Sequence, residues 1–164
     1  MRISRVVATA LGAVIVLAPA LAGNAQAAQP TAQKTQRIVI VQEAPTLKVY
    51  EPSATNTKVV LFTAPLANAA GAPAGTLTGS LVTVSEGAEA GSARERRLTF
   101  TLPKGQLVAT GVSLYPNGSV EMEQNKPVTI AILGGTGRYM GARGEVKTNR
   151  NADGTYRHVI TLLR

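Results

Sequence analysis

The chain contains no cysteine, which removes disulfide staples, thiolate metal sites and a cysteine nucleophile together. Any fold it adopts must stand on its core alone. Tryptophan is absent as well, and four tyrosines with two phenylalanines supply few flat stacking platforms. That scarcity argues against nucleic acid, whose bases need aromatic faces, and against polymeric sugars. His158 is the only histidine and no carboxylates cluster at calcium-loop spacing, so no metal site is expected. A sustained helical period is also missing beyond the first thirty residues.

What is present begins with an export signal. Arg2 and Arg5 precede an apolar run from Val6 to Ala22, and Ala25-Gln26-Ala27 offers small residues where a signal peptidase inspects. Residues 1–27 are therefore read as a cleaved signal peptide and the protein as secreted. A membrane anchor is the other reading, but Pro19 lies near the end of the run and no basic cluster follows it. No membrane association is expected once the signal is gone. Residues 28–36 are small, polar and aperiodic and read as a disordered lead. Residues 37–164 are then a single domain of ordinary size. Seventeen Lys and Arg against nine Asp and Glu make the chain basic. The charges are scattered, with Arg94, Arg96 and Arg97 the one tight group. They are read as solubility and attraction to acidic surfaces rather than a nucleic-acid stripe.

From Arg37 onward, β-branched runs alternate with turn residues about every ten positions. Strands are predicted over Arg37–Glu43, Lys58–Thr63, Leu77–Val84, Arg97–Leu102, Leu107–Leu114, Val128–Leu133, Arg143–Lys147 and Thr155–Leu163, with a short piece at Leu47–Tyr50. Asn117-Gly118 and Asp153-Gly154 read as hairpin turns, because tight turns need the positive φ these pairs tolerate. About eight strands with short connections make a closed barrel or a two-sheet sandwich; period alone does not separate them. In Val59–Thr63 and Val128–Leu133 both faces are apolar. That pattern predicts a covered outer surface, most economically by another copy in a dimer or trimer. A thick sandwich core is the alternative.

Four passages carry a family likeness. They are Thr63 to Thr76, Leu98-Thr99-Phe100-Thr101-Leu102-Pro103-Lys104-Gly105-Gln106-Leu107, Gly134-Gly135-Thr136-Gly137 with Ala142-Arg143-Gly144-Glu145, and Thr155 to Leu162. Together they resemble the allene oxide cyclase and dirigent superfamily, in its exported bacterial branch. The resemblance implies an all-β fold, an eight-stranded antiparallel closed β-barrel with a mostly hydrophobic cavity, commonly trimeric, and no cofactor. It also implies a small hydrophobic or phenolic partner whose cyclisation or coupling the barrel steers. The chain departs from plant relatives in lacking cysteine and in its few aromatics.

The glycine-rich segment invites a phosphate-binding reading, but no helix follows to face the phosphate. Gly134, Gly135, Thr136 and Gly137 are instead read as a sharp structural turn at the barrel rim. His158 is a candidate ligand-binding or acid–base group, weighed against a hydrogen-bonded wall residue. Arg143 shares a strand face with Glu145 and Lys147. It either belongs to a solvated face or, as the resemblance suggests, stands at the cavity mouth and orients a carboxylate or phenolate. Glu43 resembles an early acidic position of the cyclases; a surface carboxylate is the alternative. Tyr139 and Tyr115 supply rim hydroxyls or plug the barrel ends.

Three functions follow: a secreted barrel binding a small hydrophobic molecule, a cofactor-free cyclase or isomerase, or a structural and interaction module that binds nothing. A cavity of roughly 300 Å³ or more favours the first. A buried carboxylate or histidine inside it favours the second, and a lumen filled by side chains the third.

Overall fold

Period-two alternation shapes this chain from its centre outward. Leu98, Phe100 and Leu102 point to one side of their strand and are buried, while Arg97 and Thr101 point to the other and are exposed. The same alternation recurs along nine strands. In chain order they are β1 (Thr35–Gln42), β2 (Thr46–Tyr50), β3 (Val59–Asn68), β4 (Pro73–Gly87), β5 (Gly91–Leu102), β6 (Gly105–Tyr115), β7 (Val128–Gly135), β8 (Gly144–Arg150) and β9 (Tyr156–Leu163). One 3-10 turn, Gly137–Tyr139, joins β7 to β8. The structure, a computed structural model, describes residues 34–51, 57–87 and 91–164. The expected signal peptide and residues 28–33 of the expected lead lie outside the described residues.

The strands pair antiparallel in the order β1-β9-β8-β7-β6-β5-β4-β3, and β1 closes on β3. The result is a closed eight-stranded antiparallel barrel. Only three register pairs seal the seam, Ile40 with Asn68, Val41 with Ala67 and Gln42 with Leu66. β2 continues the line of β1 along β3, from Thr46 opposite Thr63 to Tyr50 opposite Val59. Between them Glu43-Ala44-Pro45 shifts the register, and the Glu43 N–H still donates to the Pro65 carbonyl at 3.2 Å. Proline has no N–H for a ladder bond, so the strand breaks there. The short piece expected at Leu47–Tyr50 is this second half of one interrupted staff.

Several boundaries differ from expectation. β1 begins at Thr35, inside the expected lead, and β5 begins at Gly91 rather than Arg97. Asn117-Gly118 does form a turn, with the Ser119 N–H donating to the Pro116 carbonyl at 3.0 Å. It opens a long connection over residues 116–127 instead of a tight hairpin.

The register sorts the two ends of the barrel. One end carries the start of β1, the end of β9, the β5–β6 turn and the Gly134–Tyr139 segment. Its lumen is packed with apolar side chains, among them Leu77, Leu98, Phe100, Leu107, Ile132 and Ile160. The other end carries the end of β4, the start of β5, the β8–β9 turn and the 116–127 connection. There a second cluster gathers Val60, Leu81, Tyr115, Met122 and Tyr156.

The glycine-rich turn lies against the β5–β6 turn. The Thr136 N–H donates to Gln106 O at 2.9 Å, the Gln106 N–H donates to Thr136 Oγ1 at 3.1 Å, and the Arg138 N–H donates to Lys104 O at 2.9 Å. Gly137 sits at φ 58, where a side chain is strained. Outside the barrel, Leu61, Leu133, Val112 and Leu114 are exposed in the single chain.

Candidate functional site: a polar layer beneath a capping loop

Extending the β5 alternation backward from Leu98 places Arg96, Arg94 and Ser92 on the inward face. Arg94 is 1% exposed and Arg96 3%. The reading of this group as surface charge holds only for Arg97; its two neighbours lie inside the barrel. Opposite Arg94 on the flanking strands stand Thr83 and Ser113, and beside Arg96 stand Leu81 and Gly111. The Arg94 guanidinium carbon lies 4.8 Å from the centre of the Tyr115 ring, a cation–π contact.

His158 completes the layer from the other wall. Its Nδ1 is 2.9 Å from Thr148 Oγ1 and its Nε2 is 3.0 Å from Gln42 Oε1. A carbonyl oxygen only accepts, so Nε2 carries the proton and the Thr148 hydroxyl donates to Nδ1. Phe100 meets the ring edge-on at 5.2 Å. Burial, reinforced by the Arg96 charge, pushes the His158 pKa down to about 3, and the ring is neutral at physiological pH. Burial likewise raises Tyr115, and burial with the nearby Glu121 carboxylate raises Tyr156 to about 12. Both phenols keep their protons as donors. Burial lowers Arg96, with Tyr115 and Tyr156 opposing that shift.

The 116–127 connection caps this end. Met122 is buried and its Sδ accepts from Arg96 Nη1 at 3.0 Å. Glu121 pairs with Arg150 of β8, and the Asn125 N–H donates to the Arg150 carbonyl at 3.0 Å, which ties the loop down. Beneath it remains a cavity of about 30 Å³, lined among others by Gln42, Arg96, Tyr115, Glu121, Met122 and Tyr156. That is the share of one water molecule, well below the size of a ligand pocket.

A larger space lies to the side. β6 and β7 pair only where Leu107–Thr110 faces Gly135–Ala131, and beyond Thr110 they part. A groove of about 710 Å³ opens there, lined by Val112, Leu114, Pro116, Pro127 and Val128. Tyr115 and Met122 line both spaces and form the partition between them.

Of the residues singled out in the sequence, His158 lies in the polar layer. Glu43 is exposed at the break between β1 and β2, next to Gln42 of the cavity wall. Tyr139 packs half-buried against the apolar cluster at the opposite end. Arg143 is exposed there too, its carbonyl accepting from the Leu163 N–H at 2.8 Å. Gln42, Arg94, Arg96, Tyr156 and Met122 were not singled out as site residues. For the arginines the signal was the alternation already visible in Leu98, Phe100 and Leu102, carried two steps further. Among the described residues no three His, Cys, Asp or Glu side chains gather where a metal ion could bind.

No family model and no curated protein matches the sequence. Solved structures do match the fold. A pyocyanin demethylase is 22% identical with a TM-score of 0.58, over 79% of this chain and 99% of that one. AbnU, an exo-specific intermolecular Diels-Alderase, is 14% identical with a TM-score of 0.61, over 80% and 99%. The Diels-Alderase AbmU from Streptomyces koyangensis is 19% identical with a TM-score of 0.60, over 82% and 70%. This chain shares their barrel. At such identities the likeness speaks for the fold alone; allene oxide cyclases and dirigent proteins are not among these three neighbours.

Proposed function

We propose that the protein is a secreted barrel that binds a small, largely apolar molecule at the polar end of its lumen and steers that molecule's cyclisation. The observation that carries this reading is the two-part lumen. A closed apolar floor supports a buried layer of donors, Arg96, Tyr115, Tyr156 and the His158–Gln42 pair, under a loop anchored through Glu121, Met122 and Asn125. An apolar substrate gains from the floor, and its carbonyl or enol oxygen gains from the donors. Donors already oriented in a dry site stabilise charge that develops during ring closure, and confinement supplies the entropic part of the acceleration. The shared fold with two Diels-Alderases supports the reading, as does the sequence resemblance to allene oxide cyclases and dirigent proteins.

A second reading is favoured by one measurement. The space beneath the loop is only about 30 Å³, as in a barrel that binds nothing. The two readings part on whether the loop yields to a ligand. Native mass spectrometry of protein recovered from its own culture medium, with titration of the neutral fluorophore N-phenyl-1-naphthylamine, tests this. A retained small molecule or saturable fluorescence supports the binding barrel. Absence of both leaves the structural module. The same spectra report the oligomer, which we expect to be a dimer or trimer.

A further inference from the structure

The capping loop hides an unusual partnership. Arg96 is fully buried, and its one hydrogen bond to a side chain among the described residues is to a thioether, a weak acceptor. Among the described residues its Nε has no partner, and neither do Nε and Nη1 of Arg94. Among the described residues neither arginine joins an ion pair, while Glu121 of the capping loop is held by Arg150. Two guanidinium groups so placed carry a large desolvation penalty that sulfur and an aromatic face repay poorly. A fold that needed only packing here would be served better by leucine or methionine.

We propose that Arg94 and Arg96 form the binding site for an anionic oxygen group on an otherwise apolar ligand, and that Met122 occupies this site until the ligand displaces it. The inference rests on the binding-barrel reading and adds the charge of the ligand to it. Carboxylates, enolates and phenolates all present the required acceptor, and the fork of a guanidinium matches their oxygens. In a site this dry the attraction is far stronger than at a surface. His158 is neutral, so the positive charge of the layer is that of the two arginines, and the Glu121 carboxylate that also lines the cavity is paired with Arg150. The Thr83 and Ser113 hydroxyls, both buried and without a partner among the described residues, extend the donor set around Arg94.

Entry is lateral. Met122 and Tyr115 separate the lumen from the groove between β6 and the capping loop. Withdrawal of Met122 uncovers Arg96 and joins the two spaces, so an apolar body can lie along Val112, Leu114 and Val128 while its anionic end reaches inward. Met122 suits a placeholder, since its unbranched side chain changes rotamer at little cost.

The test compares two fluorophores that share one body, anionic 8-anilinonaphthalene-1-sulfonate and neutral N-phenyl-1-naphthylamine. Wild type should bind the anion at least tenfold more tightly. Arg96→Met should erase that preference and leave affinity for the neutral probe within twofold, with a melting temperature unchanged or raised. A purely structural Arg96 gives the reverse, a lowered melting temperature with the preference intact. Met122→Ala, which keeps both arginines, should tighten the anion several-fold. Equal binding of the two probes by wild type, or an unaltered preference in Arg96→Met, overturns the anion site. An unchanged anion affinity in Met122→Ala overturns the placeholder. Binding of neither probe refutes the binding-barrel reading itself.

Discussion

At the scale of single residues, burial decides what each ionisable group does. His158 was a candidate acid–base group in the sequence, yet its ring is enclosed and hydrogen-bonded on both nitrogens. Its folded pKa of about 3 lies below the ordinary value of 6.5. The unfolded chain therefore takes up a proton that the native ring refuses. Stability from this residue is complete above pH 6.5 and is lost as pH falls toward 3, by on the order of a few kcal/mol. Urea titrations of wild type and His158→Gln at pH 7 and pH 4 check this, and the variant should lose less stability across that interval. Ring resonances that titrate near pH 6.5 in the native protein would refute it.

At the scale of elements, the glycine-rich segment shows how much of a local pattern is geometry. A methyl group on Gly135 would collide with the Gln106 carbonyl and come within 2.7 Å of Tyr139 Cβ, whereas one on Gly134 meets nothing within 4 Å. Gly135→Ala should therefore cost about 1–3 kcal/mol. Gly134→Ala should stay within about 0.5 kcal/mol. Thermal denaturation of the two variants separates them, and equal effects would show that the turn does not press on the β5–β6 hairpin. The strands themselves were legible because Val, Ile, Thr and Leu alternate with turn residues. Strand lengths were less so. β5 runs back through Arg94 and Arg96, where charged side chains look like a loop or a surface until the opposite wall is present to enclose them.

At the scale of the whole molecule, closure joins the ends of the chain. Residues Thr35–Gln42 pair with Tyr156–Leu163, and both strands must find each other across the entire domain. Such long-range pairing makes folding slow, in the millisecond-to-second range typical of all-β domains. Stopped-flow refolding should show it, and microsecond refolding would contradict it. Ile160, fully buried between the β1 and β8 partners Ile38 and Val146, should cost about 2–5 kcal/mol when cut to alanine. The outward Leu61 and Leu133, half of the two-faced apolar pattern, stay exposed in one chain. We propose them as the contact surface of the expected dimer or trimer.

The sequence by itself determined the all-β class, a resemblance to closed eight-stranded barrels, the absence of covalent staples and the approximate position of nearly every strand. Those features depend on local periodicity and on turn residues, which each segment carries whatever its neighbours do. Tertiary structure alone decided which residues share the lumen. Arg94, Arg96, Gln42, Tyr156 and Met122 come from three strands and one loop far apart in the chain, and only closure of the seam excludes water from all of them at once. Exclusion of water is what turns two ordinary surface-looking arginines into a strong site for an anion, and no stretch of sequence contains that information about itself.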